Sequence, residues 1–263
     1  MTDQKKFTGK LSGTRILIVG GSTGLGYGVA EGVIEEGAKE VIISSSQESR
    51  IHGAIASLEK SYPSAKGKIK GYVCDLGTED TLEQNVKDLL SKVGVVDHLV
   101  YTAGDKLKTT PLDQTDFAQL KKAGMVRFFA PWLIVRYAFS GKNIAPGPAS
   151  SVILTTGSIS QRPRPNWSIP AGYAGGLHAM TRNFALELAP IRVNLISPGM
   201  VETTLWDHIP PETQQKMFSE TGKRVWTGKV GQTVDVTEGY LMLMKDHNIT
   251  GSVVSSNGGS IYV

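Results

Sequence analysis

The sequence predicts one α/β domain in which a seven-stranded parallel sheet carries helices on both faces. Two observations predict it. Seven short runs rich in Val, Ile and Leu, at 15–19, 40–44, 68–74, 97–101, 151–156, 191–197 and 251–256, alternate with longer helical stretches, as parallel βαβ units require. The first four and the sixth are near-continuously apolar, where a half-solvated strand would alternate, so helices should cover them from both sides.

Taken in order, the run at 15–19 is followed by glycines 20, 21, 24, 26 and 28 and a helical pattern reaching Glu36 and Gly37. The run at 40–44 ends in serines that lead into a helix from Gln47. After the third and fourth runs, a helix is expected to open at the aromatic Phe117. The glycine and prolines of 140–150 read as a helix-to-strand connection into the fifth run. A helix ending in Ala185-Leu186-Glu187-Leu188 precedes the sixth run. Residues 200–231, with the break at Ile209-Pro210-Pro211 and aromatics at Trp206, Phe218 and Trp226, are expected to form a mobile substrate lid before the last helix. No repeat, linker or low-complexity tract interrupts the series, so 1–263 is expected to be a single domain.

Composition narrows the function classes. Thirty glycines in 263 residues, roughly 11% against an average near 7%, follow no triplet period, which excludes collagen and favours tight turns and close backbone approaches. A chain of this length buries roughly three quarters of its unfolded surface, so it needs neither disulfide nor metal for a core. The single cysteine, Cys74, lies beside an apolar run and is expected to be a small buried hydrophobe in a reducing compartment. The 28 basic and 24 acidic residues are interspersed, so despite a net charge of +4 no nucleic-acid footprint is expected. The polar N-terminus and the lack of any run of about 18 apolar residues predict a soluble, cytoplasmic protein with no membrane partner. The five histidines show no metal-ligand spacing, and no metal is expected.

The segment Gly20-Gly21-Ser22-Thr23-Gly24-Leu25-Gly26 lies between a strand and a helix. Glycine is required there where the chain turns at positive φ and where backbone must approach a pyrophosphate, and the helix N-terminus behind it offers unpaired N–H groups. The bland alternative is a tight strand-to-helix turn. An NAD site places Asp or Glu at the end of the second strand, where it binds the ribose diol. Here Ser44, Ser45 and Ser46 stand there, with Arg50 one turn into the helix, so NADP(H) is the expected cofactor.

With that turn, Asp75, Ala103-Gly104, Arg192-Val193-Asn194 and Pro198-Gly199, the chain resembles the short-chain dehydrogenase/reductase superfamily from about Ser12 to Gly259. The resemblance implies a Rossmann-type sheet with Gly20, Gly24 and Gly26 on the pyrophosphate and Asp75 at the adenine. It implies Ala103 and Gly104 at the ribose, Pro198, Gly199 and Thr203 at the nicotinamide, and a homodimer or homotetramer. The family's catalytic residues are missing. In that family's register the Tyr would fall on Pro170, the Lys on Ala174, the Ser on Gly157 and the Asn on Gly124. Tyr173, Thr156, Ser158 and Ser160 lie close enough to be considered as substitutes, although a tyrosine without a neighbouring cation is a poor acid–base group.

The stretch from Gly124 through Arg127 to Pro131, the Thr156-Gly157-Ser158 turn, Trp167 and Gly172-Tyr173-Ala174 are similar to fungal NADPH-dependent reductases of the malbrancheamide and paraherquamide type. That likeness implies a polar role for Arg127 at the substrate, a stacking role for Trp167 and a place in specialised metabolism. The acidic residue those enzymes carry three before the tryptophan is Arg164 here. The expected activity is NADP(H)-dependent hydride transfer to or from a small, mostly apolar molecule of the iminium or activated carbonyl class. The catalytic set is Arg127, Tyr173 and Thr156, and Ser158, Trp167 and Trp206 face the substrate. The alternatives are an ordinary alcohol dehydrogenase or ketoreductase using Tyr173, and a non-catalytic NADP(H)-binding sensor or scaffold.

Overall fold

The computed structural model describes residues 6–107 and 109–263. Its seven strands are β1 (Arg15–Val19), β2 (Glu40–Ser45), β3 (Ile69–Val73), β4 (His98–Tyr101), β5 (Ser151–Thr155), β6 (Arg192–Pro198) and β7 (Val253–Ser256). They pair in parallel in the order β3-β2-β1-β4-β5-β6-β7. The helices are α1 (Gly24–Glu35), α2 (Glu48–Ser61), α3 (Glu79–Val93), α4 (Phe117–Gly124), α5 (Ala130–Ser140), α6 (Ser168–Glu187), α7 (Pro211–Arg224) and α8 (Thr233–Lys245).

Strand periodicity sorts the side chains into two cores. Ile16 and Ile18 face the layer of α1, α2 and α8, with Val29, Ile51 and Val236. Leu17 and Val19 face that of α3, α5 and α6, with Val86, Ile134 and Phe184. Cover on both faces is what the continuous apolar runs predict, and β1, β2, β4 and β6 show it. The third strand departs. It is a sheet edge whose Val73 is 49% exposed, because an edge strand has a neighbour and helical cover on fewer sides.

Strand order reverses between β1 and β4, and crevices beyond the carboxyl ends of such strands bind ligands in doubly wound sheets. The helix that the sequence opens at Phe117 does start there, with Asp116 and Gln119 forming a capping box. It is then broken by a π turn at Met125–Phe129. Pro131 lies just beyond, and its missing N–H favours the break.

Among the described residues no helix is long and apolar enough to cross a membrane, and no group of His, Cys, Asp and Glu could hold a metal. Cys74 is buried as expected, and burial pushes its thiol pKa up to about 12.

His98, on β4, is 1% exposed, with Nδ1 2.9 Å from Ser151 Oγ. Burial, then the charge of Arg192, lowers its pKa to about 3. Between that value and an unfolded value near 6.5, the unfolded chain binds a proton that the native state refuses. Stability therefore falls as pH drops through this window, by up to ~1.4 kcal/mol per pH unit. We expect His98→Gln to melt with a shallower pH dependence than the parent between about pH 6 and 4. Parallel slopes in thermal scans would contradict this.

Candidate active site

The turn after β1 is held from beneath. The N–H groups of Gly20 and Gly21 donate to Ser44 O at 3.0 and 3.2 Å. Gly20 has φ +88°, and a Cβ there would lie 2.5 Å from Ala103 N. In α1, a Cβ on Gly26 would lie 2.3 Å from Gly20 O and 2.4 Å from Thr102 Oγ1. Backbone thus meets backbone where β1, α1 and the end of β4 converge, and only glycine fits. Thr23 is the N-cap of α1 and uses no side-chain cap, so the helix N-terminus stays available to an anion. Ser22 is buried and Leu25 half-buried along the turn, and Thr203 packs over Gly24, with its Cβ 3.4 Å from where a Cβ there would stand.

Ser44 is 1% exposed inside the sheet, and its carbonyl holds the glycine turn. This corrects the expectation of three hydroxyls at the end of β2. Ser45 is half-buried and Ser46 and Arg50 are exposed, so those three form the accessible set. Both faces of β2 are covered from Val41 to Ser44, and exposure begins at Ser45 where the strand ends. Asp75 accepts from Gly77 N at 2.9 Å and from the Thr78 hydroxyl at 2.6 Å, which orients its carboxylate at the start of α3. Gly199 follows β6 in close contact with Asn257 after β7, its Cβ position 2.9 Å from Asn257 Cα. Pro198 and Gly199 thus lie at the carboxyl end of β6, as Ala103 and Gly104 lie beyond that of β4, and Thr203 packs over Gly24. The cradle of close glycines and the open helix N-terminus fit a dinucleotide.

The positions beside this cradle carry no acid. Gly157, after β5, has nothing within 4 Å of its Cβ position, and Pro170 and Ala174 lie on the first turns of α6. The Thr156 hydroxyl donates to Ala174 O at 2.9 Å, tying the β5 end to α6. The Tyr173 phenol donates to Leu120 O at 3.0 Å, and its ring packs on Phe128 and Phe129 at centroid distances of 5.2 and 5.9 Å. A Cβ on Gly124 would lie 2.5 Å from Tyr173 Cζ, so the glycine makes room for that ring. Burial raises the Tyr173 pKa, farther from neutral pH.

Arg127 lies in the π turn, and Phe128 from the same turn packs on Tyr173. Its Nε is 3.0 Å from Asp105 Oδ1, a second guanidinium bond reaches Asp105 O, and the group lies about 3 Å from the Gly104 Cβ position.

Sequence reasoning gives His178 a solvated or core role, on the helix of Tyr173 but on a different face. It continues the Pro170-Ala174 stripe by one more turn, and that i, i+4, i+8 spacing is the signal that would have found it. Its Nε2 is 2.9 Å from Ser160 Oγ, which donates to Gly157 O at 2.8 Å. The hydroxyl proton is therefore spent on the carbonyl, and Nε2 carries the hydrogen. Burial, then Arg182, lowers the pKa of His178, which favours the neutral imidazole.

Ser158 opens a short 3₁₀ turn, and Trp167 caps α6. The Trp206 indole donates to Val201 O at 2.9 Å, within its own segment. Residues 200–231 are tied at both ends by the Val201–Gly231 bridge and contain α7.

A doubly wound parallel sheet with this cradle defines a nucleotide-dependent enzyme fold, and the comparisons give its family. The model of the SDR family, described as an SDR-like rossmann domain, matches residues 7–263, and the chain belongs to the short-chain dehydrogenase/reductase family. It is 39% identical over 265 residues to the short-chain dehydrogenase/reductase fsr5 of Gibberella fujikuroi, covering 99% of each chain. The solved structure of MalC reductase/Diels-Alderase from Malbranchea aurantiaca superposes with a TM-score of 0.90 at 34% identity, covering 97% of this chain and 98% of that one. A small-chain dehydrogenase solved in complex with NADPH has the same fold, with a TM-score of 0.77 and 23% identity over 96% of this chain and all of that one.

Proposed function

We propose that the chain is an NADP(H)-dependent oxidoreductase that moves a hydride to or from a small, mostly apolar molecule of the iminium or activated carbonyl class. The observation that carries this reading is a complete cofactor cradle beside a site whose acid–base positions are Gly157, Pro170 and Ala174. When bound, NADP(H) supplies the hydride at its nicotinamide ring. The amides from Gly20 to Gly26 hold the pyrophosphate, and Ser45, Ser46 and Arg50 receive the 2′-phosphate where no carboxylate repels it. Asp75 binds the adenine, Ala103 and Gly104 the ribose, and Pro198, Gly199 and Thr203 the nicotinamide.

Reduction of a plain ketone creates an alkoxide that must be protonated as hydride arrives. An iminium or activated carbonyl relaxes that demand, and holding the acceptor in place then suffices. Arg127 polarises an acceptor oxygen, Trp167 stacks on the substrate, Thr156 and Ser158 border it, and residues 200–231 with Trp206 cover it. The likeness to fsr5 of Gibberella fujikuroi and to the MalC reductase/Diels-Alderase supports a role in fungal specialised metabolism. Trp132 and Phe139, exposed together on α5, supply a face for a homodimer or homotetramer.

NADPH fluorescence titration, followed by turnover with panels of iminium ions, enones and ketones, tests the proposal. We expect Arg127→Ala to lower kcat/KM about 10- to 100-fold and Tyr173→Phe to keep most of it. Tight NADPH binding with no oxidation by any acceptor would favour the sensor or scaffold. Loss in Tyr173→Phe with full activity in Arg127→Ala would restore the tyrosine as acid.

A further inference from the structure

A cavity of about 420 Å³ opens between the β5–α6 loop, which also carries Ser158 and Trp167 of the candidate site, α7 and the residues after β7. Arg162, Arg164 and Arg224 line it, together with Trp167, Thr221 and Ser260. No Asp or Glu lines it, and among the described residues none of the three guanidiniums is paired with a carboxylate. Burial, then the charges of Arg162 and Arg224, depresses the Arg164 pKa, as crowding of like charges requires. The Arg164 guanidinium lies 5.8 Å from the Trp167 ring centroid. Arg162 Nη1 donates to Ser260 O at 3.1 Å. Ser260 is 8% exposed, and its hydroxyl has no hydrogen-bond partner.

We propose that this cavity is the substrate's recognition subsite and takes a planar molecule bearing a delocalised oxyanion, a carboxylate or an ionised phenol or enol. A guanidinium fork matches two coplanar oxygens, and an aromatic ring beside them lies against Trp167 and Arg164. An occupant of negative charge removes the repulsion within the cluster, whereas a cation adds to it. The inference rests on the hydride-transfer reading and narrows it. The three arginines reject a cationic iminium and favour an activated carbonyl whose skeleton also carries the anion.

The test compares binding of 2-naphthoate, 2-naphthylmethanol and 2-naphthylmethylammonium to the NADPH-loaded protein by calorimetry. We expect the carboxylate to bind at least about 10-fold more tightly than the alcohol, the ammonium to give no signal, and added salt to shrink the difference. Arg164→Gln and Arg224→Gln should each weaken naphthoate by about 10-fold while leaving NADPH affinity and thermal melting unchanged. Arg164→Glu should shift preference toward the ammonium. Equal affinities for naphthoate and the alcohol, or naphthoate binding indifferent to both glutamine variants, would overturn the subsite. Tighter binding of phenyl phosphate than of naphthoate would overturn the planar assignment. NADPH titration of the same samples keeps the two readings apart. Failure of the parent protein to bind NADPH sinks the cofactor reading, whereas normal NADPH binding without carboxylate preference sinks only the subsite.

Discussion

Gly26→Val is expected to reduce NADPH affinity by at least about 100-fold, because the turn that cradles the cofactor has no room for a side chain. The first carbon alone would lie 2.3 Å from Gly20 O and 2.4 Å from Thr102 Oγ1. Neither neighbour is the far end of a flexible chain. Gly20 is held by its hydrogen bond to Ser44 O, and the Thr102 hydroxyl donates to Val19 O at 3.0 Å. The variant must push α1 away from the turn, so the glycine amides and the helix N-terminus no longer converge on one anion. Overpacking of this kind also costs about 1–3 kcal/mol of stability. Gly53→Ala on α2 is the control. It has nothing within 4 Å of its Cβ position, and it should gain about 0.5–1 kcal/mol from helix propensity with NADPH affinity unchanged. Fluorescence titration of the two variants reads the contrast, and a Gly26→Val affinity within about 2-fold of the parent contradicts this account of the turn.

Arg192→Leu is expected to lower the melting temperature by about 10 °C, from a loss of about 3–5 kcal/mol. Arg192 opens β6 and is 2% exposed. Its Nε donates to Pro148 O at 2.6 Å, Nη1 to Leu243 O at 2.5 Å and Ile249 O at 3.4 Å, and Nη2 to Met244 O at 3.0 Å. The buried cation is thus held by carbonyls, two of them in the last turn of α8, where the helix dipole is negative. Leucine leaves those acceptors without a donor in a dry interior, which is the costly arrangement. Arg192→Lys should recover only part of the loss, because one ammonium cannot span carbonyls from three segments. Thermal unfolding reads both variants, and a shift within about 2 °C for Arg192→Leu would contradict the assignment.

Strand order aside, most of the fold was legible before any coordinates. Apolar runs and glycine breaks are local signals, and all seven strands lie where those signals place them, within two residues at each end. The cradle was legible for the same reason, since a glycine between strand and helix records a backbone constraint within a few residues of itself. Gly124, Gly157, Pro170 and Ala174 could be read by register alone as the positions where the family's Asn, Ser, Tyr and Lys are expected. Arg192 was visible as a motif residue, but its reason was not, because its four acceptors come from segments 44 to 57 positions away.

Tertiary packing decided the rest. Gly124 reads in sequence as a lost asparagine, and only the fold shows Tyr173 lying in the space it leaves, bonded to the backbone of α4. Ser44, Ser45 and Ser46 look alike as letters, and the sheet buries the first while leaving Ser46 in solvent. Arg162 and Arg164 stand some sixty positions from Arg224, yet one cavity gathers them around Trp167. Periodicity and turn chemistry are written over spans of a few residues, so the sequence determined the strands and the glycine cradle. The environment of a side chain is set by contacts between distant segments, so only the folded chain determined where the tyrosine, the serines and the arginines lie and what surrounds them.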